Sequence, residues 1–323
     1  MDPFIRQEHG LPNEQKTKAQ EEDCSDTMQA NLKGQEDNER KNRSRAWKSH
    51  PLVAYFVLAY AITWLFLGSV ALHSHGLISL PSGFITPFTY VGSIGPLLAA
   101  LLLTATTTGK GGMRAFFRQM FNWRVSPWWY LFVLFEPAIV ALIVMACQSL
   151  PGGASFDLAH PSVVEELSLP SGINPWLLIV PVFLLGSLAG GPFGEEPGWR
   201  GYALPKLQER YSALGAGLIL GVLWTVWHLP FFFIQGTSQS STPFFIFALG
   251  TIADSILITW VYNHTRGSVL LAILFHNALN ITDLYFPLSL WDDWQGVMAQ
   301  CLAALVVVIA FGPKRGGWRP RPG

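Results

Sequence analysis

Residues 191–207 read GPFGEEPGWRGYALPKL and follow directly on an apolar run that spans 174–191. The adjacent carboxylates Glu195 and Glu196 decide how this region is read. An ion placed against hydrocarbon costs several kcal/mol unless it is paired or faces water. Such a pair therefore marks a functional polar site inside a membrane protein. Gly190, Gly191 and Pro192 on one side, and Pro197 and Gly198 on the other, are expected to kink or partly unwind the helix beside the acids. Irregular backbone at membrane depth persists only where protein or a wet cavity satisfies it, so a polar cavity is expected here.

The rest of the chain fits that setting. Of 323 residues, 50% are hydrophobic and only 13% charged, with a mean hydropathy of +0.32. This composition excludes an ordinary soluble domain and indicates a polytopic membrane protein. The formal net charge is zero, which leaves no basic footprint for nucleic acid. The expected fold is all-α: a polytopic transmembrane helical bundle of about eight spans, each of about 20 mainly apolar residues, enclosing the polar cavity. The candidate spans are 51–72, 85–106, 127–150, 174–191, 213–235, 243–262, 268–286 and 294–311. No internal repeat of the kind transporters show is present.

Basic residues provide an independent check. The run from Arg40 to Lys48, the group Lys110, Arg114, Arg118 and Arg124, then Arg200, Lys206 and Arg210, then Arg266, then Lys314, Arg315, Arg319 and Arg321 all fall on one side of this layout. The opposite connections, including HSHGLISLPSG and GTSQSST, carry no lysine or arginine. That side is read as cytoplasmic, with both termini there. Residues 1–49 hold ten acids and nine Lys or Arg with few aromatics, and are expected to form a disordered charged cytoplasmic tail without the apolar core of a signal peptide. Residues 50–312 form the membrane domain and 313–323 a basic cytoplasmic tail. The ending RPRPG is no prenylation signal. Cys24, Cys147 and Cys301 have no disulfide or metal-ligand spacing. Pro127-Trp128-Trp129-Tyr130, Trp291 and Trp294 read as interfacial aromatic anchors.

Three segments carry the chemistry. Neighbouring residues on a helix point about 100° apart, so Glu195 and Glu196 cannot address the same point. Glu196 and Arg200, four apart with the acid first, favour an ion pair, which leaves Glu195 as the free carboxylate for general-base work. His228 lies in LWTVWHLPFF, on the same helix face as Trp224. His276 and Asn280 lie in LAILFHNALN at i and i+4, whereas Asn277 points elsewhere. Taken alone each signal is weak: two acids at a helix end can be merely solvated, a lone histidine such as His228 is more often bonded to a neighbouring carbonyl, and the His276/Asn280 stripe reads equally as helix–helix glue worth about 1 kcal/mol or as donors aimed at an oxyanion. Together, a carboxylate, two imidazoles and a carboxamide in separate spans indicate a buried hydrolytic site. Depth is an obstacle: His228 lies roughly 20 Å along a span that starts at the cytoplasm, while Glu195 looks nearer the surface. The two meet only if the acid segment lies deep, a span tilts or a boundary shifts. Glu136, Asp254 and Asp283 are other intramembrane acids, expected to serve packing or hydration. Glu195, His228 and His276 would also make a catalytic zinc set, although no HExxH helix is present.

EEPGWR, WTVWH and HNALN fit, in order, the EExxxR, aromatic-xxx-H and HxxxN motifs, and the chain resembles the CPBP family, which includes CAAX prenyl endopeptidases of the Ras-converting type and lysostaphin-resistance-like proteins. The resemblance covers residues 170–285 best. It implies a metal-independent intramembrane glutamic endopeptidase, with no cofactor, that cleaves near the C-terminus of a membrane-associated protein or peptide, prenylated in the Ras-converting members. On that resemblance Glu195 and His228 activate water, His276 and Asn280 stabilise the oxyanion, and Glu196 and Arg200 fix the loop, with Arg200 also available to a substrate carboxylate. Trp224 stands where phenylalanine is commonest, a departure expected to leave the chemistry unchanged. The family also allows a non-catalytic reading, as a membrane scaffold or peptide-toxin immunity protein.

Overall fold

The computed structural model describes residues 50–312 apart from 151, 152, 154, 155, 159, 160 and 190. The expected tails at 1–49 and 313–323, and Cys24, lie outside the described residues. All regular elements among the described residues are helical. In order they are α1 (Pro51–Ser74), α2 (Ser82–Ser93), α3 (Gly95–Met120), α4 (Pro127–Gln148), α5 (Val163–Glu166), α6 (Ile179–Ala189), α7 (Gly191–Gly198), α8 (Leu204–Gln208), α9 (Ala213–Trp227), α10 (Phe244–His264), α11 (Val269–Tyr285) and α12 (Trp294–Phe311). A π-helical turn, Trp199–Ala203, joins α7 to α8. Helix starts follow local chemistry. Proline sits at the first position of α4, and Ser212 and Ser268 accept the Gly215 and Leu271 N–H groups at the starts of α9 and α11.

Five helices are long and apolar enough to cross a bilayer, and two pairs bent by 55° and 44° raise the number to seven. The remaining expected span is α11, an apolar helix of 17 residues. That is shorter than the roughly 20 a free span requires. It is buried among its neighbours over most of its length. The second span is also not straight, since it bends at Ile94 between α2 and α3. Lys110, Arg114 and Arg118, expected in a loop, lie on the helical continuation of α3 beyond a kink at Gly109, whose φ of 62° favours glycine. The fourth span does not stop before the acid pair. Helix resumes at Gly191, bent by 44° from the stretch that ends at Leu188, and runs to Gln208 with Glu195 on it. The two segments do meet, since Glu195 and His228 both bond to Trp224.

Small residues let the helices approach closely. A Cβ on Gly221 would meet the Ile252 Cα and Ser255 Cβ at 3.0 Å, and the Ser255 hydroxyl donates to the Gly217 carbonyl at 2.9 Å. This Gly217-x3-Gly221 seam joins α9 to α10. The acid segment is seated in the same way. A Cβ on Gly194 would lie 2.7 Å from Ile94 Cγ2, and one on Gly198 would lie 2.5 Å from both the Pro96 carbonyl oxygen and the Tyr55 hydroxyl. Gly198→Ala is therefore expected to cost about 1–3 kcal/mol through overpacking. Thermal unfolding in detergent checks this, and an unchanged midpoint would contradict the close seat. Thr63 ties three elements together, donating to the Gly92 carbonyl at 2.7 Å and accepting the Trp227 indole N–H at 2.8 Å.

Other acids hold packing together. Asp254 Oδ1 accepts the Gln300 amide at 3.0 Å, joining α10 to α12, with both residues fully buried. Asp283 accepts from the Ser289 hydroxyl and the Leu290 N–H, pinning the turn after α11. Glu136 lines an apolar groove of about 380 Å³ between α4, α10 and α12. Cys147 and Cys301 are free thiols. Trp128 and Trp294 are exposed as anchors should be. Trp291 is the correction: the pinned turn directs it inward, with ring centres 6.0 Å from Phe247 and His276.

Candidate active site

Glu195 and Glu196 both ride on α7, a short helix followed by the π-helical turn. Helix geometry sends them to different partners. Glu196 Oε1 accepts from the Arg200 guanidinium at 2.8 Å, the i,i+4 spacing visible in the sequence, and from His276 Nδ1 at 3.0 Å. Glu196 and Arg200 have no exposed surface. Arg200 Nε and Nη2 have no partner among the described residues. Its guanidinium carbon lies 4.9 Å from the centre of the Trp224 ring, a cation–π arrangement.

Glu195 is 4% exposed. Its Oε2 accepts the Trp224 indole N–H at 2.7 Å and, at 3.4 Å, that of Trp199 one turn along its own segment. A Cβ on Gly191 would lie 2.3 Å from Glu195 Oε1, so the side chain folds over a glycine. His228 follows α9, and its Nδ1 lies 2.9 Å from the Trp224 carbonyl oxygen. A carbonyl cannot donate, so Nδ1 carries the proton and the neutral ring keeps its lone pair on Nε2. Aromatic rings hold that imidazole, with Trp227 at 4.7 Å and Phe247 at 5.1 Å between centroids. His276, on α11, stands edge-on to Trp224 at 5.1 Å. By the same reasoning, its Nδ1 donates to the Glu196 carboxylate.

Arg200, Glu196 and His276 thus form one hydrogen-bonded chain, with Glu195 and His228 attached to it through Trp224. No direct hydrogen bond joins Glu195 to His228. Asn280 lies one turn beyond His276, half-buried, and its Oδ1 has no partner among the described residues. Asn277 does point elsewhere, donating to the Phe183 carbonyl at 2.8 Å and linking α11 to α6.

The sequence reading did not identify the two indole donors. Trp199 follows Glu195 by four residues, and that spacing was a usable signal. Trp224 was placed on the His228 face, but its bond to Glu195 crosses 29 positions of chain. Trp224 also supplies an N–H that a phenylalanine at this position would lack, and Glu195 accepts it. For the zinc alternative, no group of three or more His, Cys, Asp and Glu side chains among the described residues is arranged to hold a metal ion.

The fold and site define a multi-pass α-helical membrane protein with charged and imidazole side chains buried around one indole. The family described as type II CAAX prenyl endopeptidase Rce1-like matches residues 174–282, the stretch that carries all of these side chains. The chain is also 28% identical over 244 residues to CAAX prenyl protease 2 of Methanococcus maripaludis, covering 73% of this chain and 84% of that protein. Over this stretch the chain is similar to CAAX prenyl endopeptidases. It is an integral membrane protein, and an intramembrane protease is the kind of protein that these similarities support.

Proposed function

We propose that this protein is a metal-independent intramembrane endopeptidase of the CAAX prenyl protease type, hydrolysing a peptide bond near the C-terminus of a membrane-associated protein. The observation that carries this reading is the convergence on Trp224, whose indole N–H meets Glu195, whose carbonyl holds His228 and whose ring packs on His276. Glu195 takes a proton from water, and His228 Nε2 accepts a second hydrogen bond from that water and orients it. As the water oxygen attacks the scissile carbonyl, negative charge develops on the carbonyl oxygen. In the charged form of the ring, whose Nδ1–H the Glu196 carboxylate accepts, His276 Nε2–H and the Asn280 amide donate to that oxygen. The proton taken by Glu195 then passes to the leaving amine as the C–N bond breaks.

An apolar groove of about 550 Å³ runs between α1 and the 229–233 turn that follows His228, lined by Trp64, Leu65, Leu72, Leu229 and Pro230. Both termini are taken as cytoplasmic from the basic-residue distribution, so the substrate tail enters from that side.

The test uses purified protein in phosphatidylcholine vesicles with a peptide ending in farnesyl-cysteine, two aliphatic residues and a terminal residue. Release of the C-terminal tripeptide, read by mass spectrometry, is the expected result. No cleavage of the farnesylated or unmodified peptide by folded, inserted protein would defeat the proposal. In the same assay Asn280→Ala is expected to lower kcat by about 10²–10³-fold, as for loss of one oxyanion donor. Its unfolding midpoint should be preserved. A kcat within threefold of the parent would remove Asn280 from the mechanism.

A further inference from the structure

We infer that Trp224 is a positioning residue that selects which oxygen of Glu195 meets the water and, through its own carbonyl, which nitrogen of His228 does. The inference rests on the peptidase reading above. A carboxylate in a dry site can rotate and present either oxygen, and each oxygen accepts more than one hydrogen bond. Here Oε2 is taken by the 2.7 Å bond from Trp224, supported by the 3.4 Å bond from Trp199. Oε1 is left as the oxygen free to receive a proton. The Trp224 carbonyl meanwhile occupies His228 Nδ1, so the lone pair at Nε2 is the one offered to the water. One residue thus orients both the acid and the imidazole.

For such a clamp to work, the indole itself must be immobile. Trp224 has no exposed surface. The Arg200 guanidinium lies against its ring, with His276 and His228 at 5.1 and 5.6 Å between ring centres. A tryptophan retained only for packing would be indifferent to the loss of one N–H. A clamp would not be, because hydrogen bonds to charged groups are the strong ones.

The experiment compares Trp224→Phe with Trp224→3-benzothienylalanine, which replaces the indole N–H by sulfur at nearly constant shape. The assay is peptide cleavage in vesicles, with Glu195→Gln and Trp199→Phe alongside. Both Trp224 variants are expected to lower kcat about 10- to 100-fold, with KM moving less than about threefold as expected for an interaction that orients the reacting groups. The acid limb of the rate profile should move to higher pH, since the carboxylate loses a donor that favours its charged form. The other groups that interact with Glu195 are Glu196 and Arg200 on its own segment, His276 on α11 and Tyr55 on α1. All of them are unchanged in the benzothienyl variant. Trp199→Phe, losing only the long bond, should change kcat less than about threefold.

If Trp224→Phe does not fold, the benzothienyl variant decides alone. A benzothienyl variant with the parent kcat and pH profile, beside an inactive Glu195→Gln, overturns the clamp and leaves the peptidase reading standing. Activity surviving in Glu195→Gln overturns the reading on which the clamp rests.

Discussion

Glu195→Gln is expected to give a folded, membrane-inserted protein whose peptide hydrolysis falls by about 10³–10⁴-fold, the upper range for loss of a general base. The amide has nearly the size of the carboxylate, and its oxygen still accepts the indole N–H of Trp224. The substitution therefore preserves the packing around α7 and removes only the capacity to take a proton. Measured together, kcat and the thermal midpoint separate these effects. A variant that cleaves within tenfold of the parent would show that another group activates the water.

Arg200→Met should have the largest effect on stability. Arg200 is fully buried against Glu196, and removing one member of such a pair leaves the other charge uncompensated, at a cost of about 3–5 kcal/mol. His276 remains on Glu196 but does not replace the short guanidinium contact. The Arg200→Met/Glu196→Gln double variant should recover at least half of the loss, since it removes both charges together. Denaturant unfolding in detergent gives both numbers. If Arg200→Met unfolds within about 1 kcal/mol of the parent, the pair contributes no more than an exposed one and the description of a dry, charged centre fails.

The legible parts of this molecule share a feature: they are short-range in sequence. Glu196 and Arg200 are four residues apart, as are His276 and Asn280 and Trp224 and His228, and one helical turn places each pair on a common face. Apolar runs of span length gave the helical membrane class, and the sequence placed most spans within a few residues. Less legible were the places where the chain bends. Ile94 sits between two helical stretches that read as one apolar run, and the fourth apolar run reads as ending near 191, whereas helix resumes at Gly191 at 44° to it and carries on to Gln208. Hydropathy reports that a segment is apolar, not that it is straight.

Trp291 shows a second kind of miss. A tryptophan near the end of a span usually lies at the interface. This one turns inward because Asp283 holds Ser289 and Leu290. The close passage of α12 at Gly296, where a Cβ would fall 2.1 Å from the Ser289 carbonyl oxygen, leaves that turn little freedom.

By itself the sequence determined that the chain is an α-helical membrane protein, which residue types could do acid–base work, and how partners one turn apart pair. Those properties follow from hydrophobicity and from the helical repeat, both readable over a few residues. The tertiary structure alone decided that Glu195 is held by indoles, that His276 leans on Glu196, and that a single tryptophan joins the three segments. These contacts link positions 29 and 80 residues apart, and they depend on how closely glycine-lined helices approach, which no local pattern encodes.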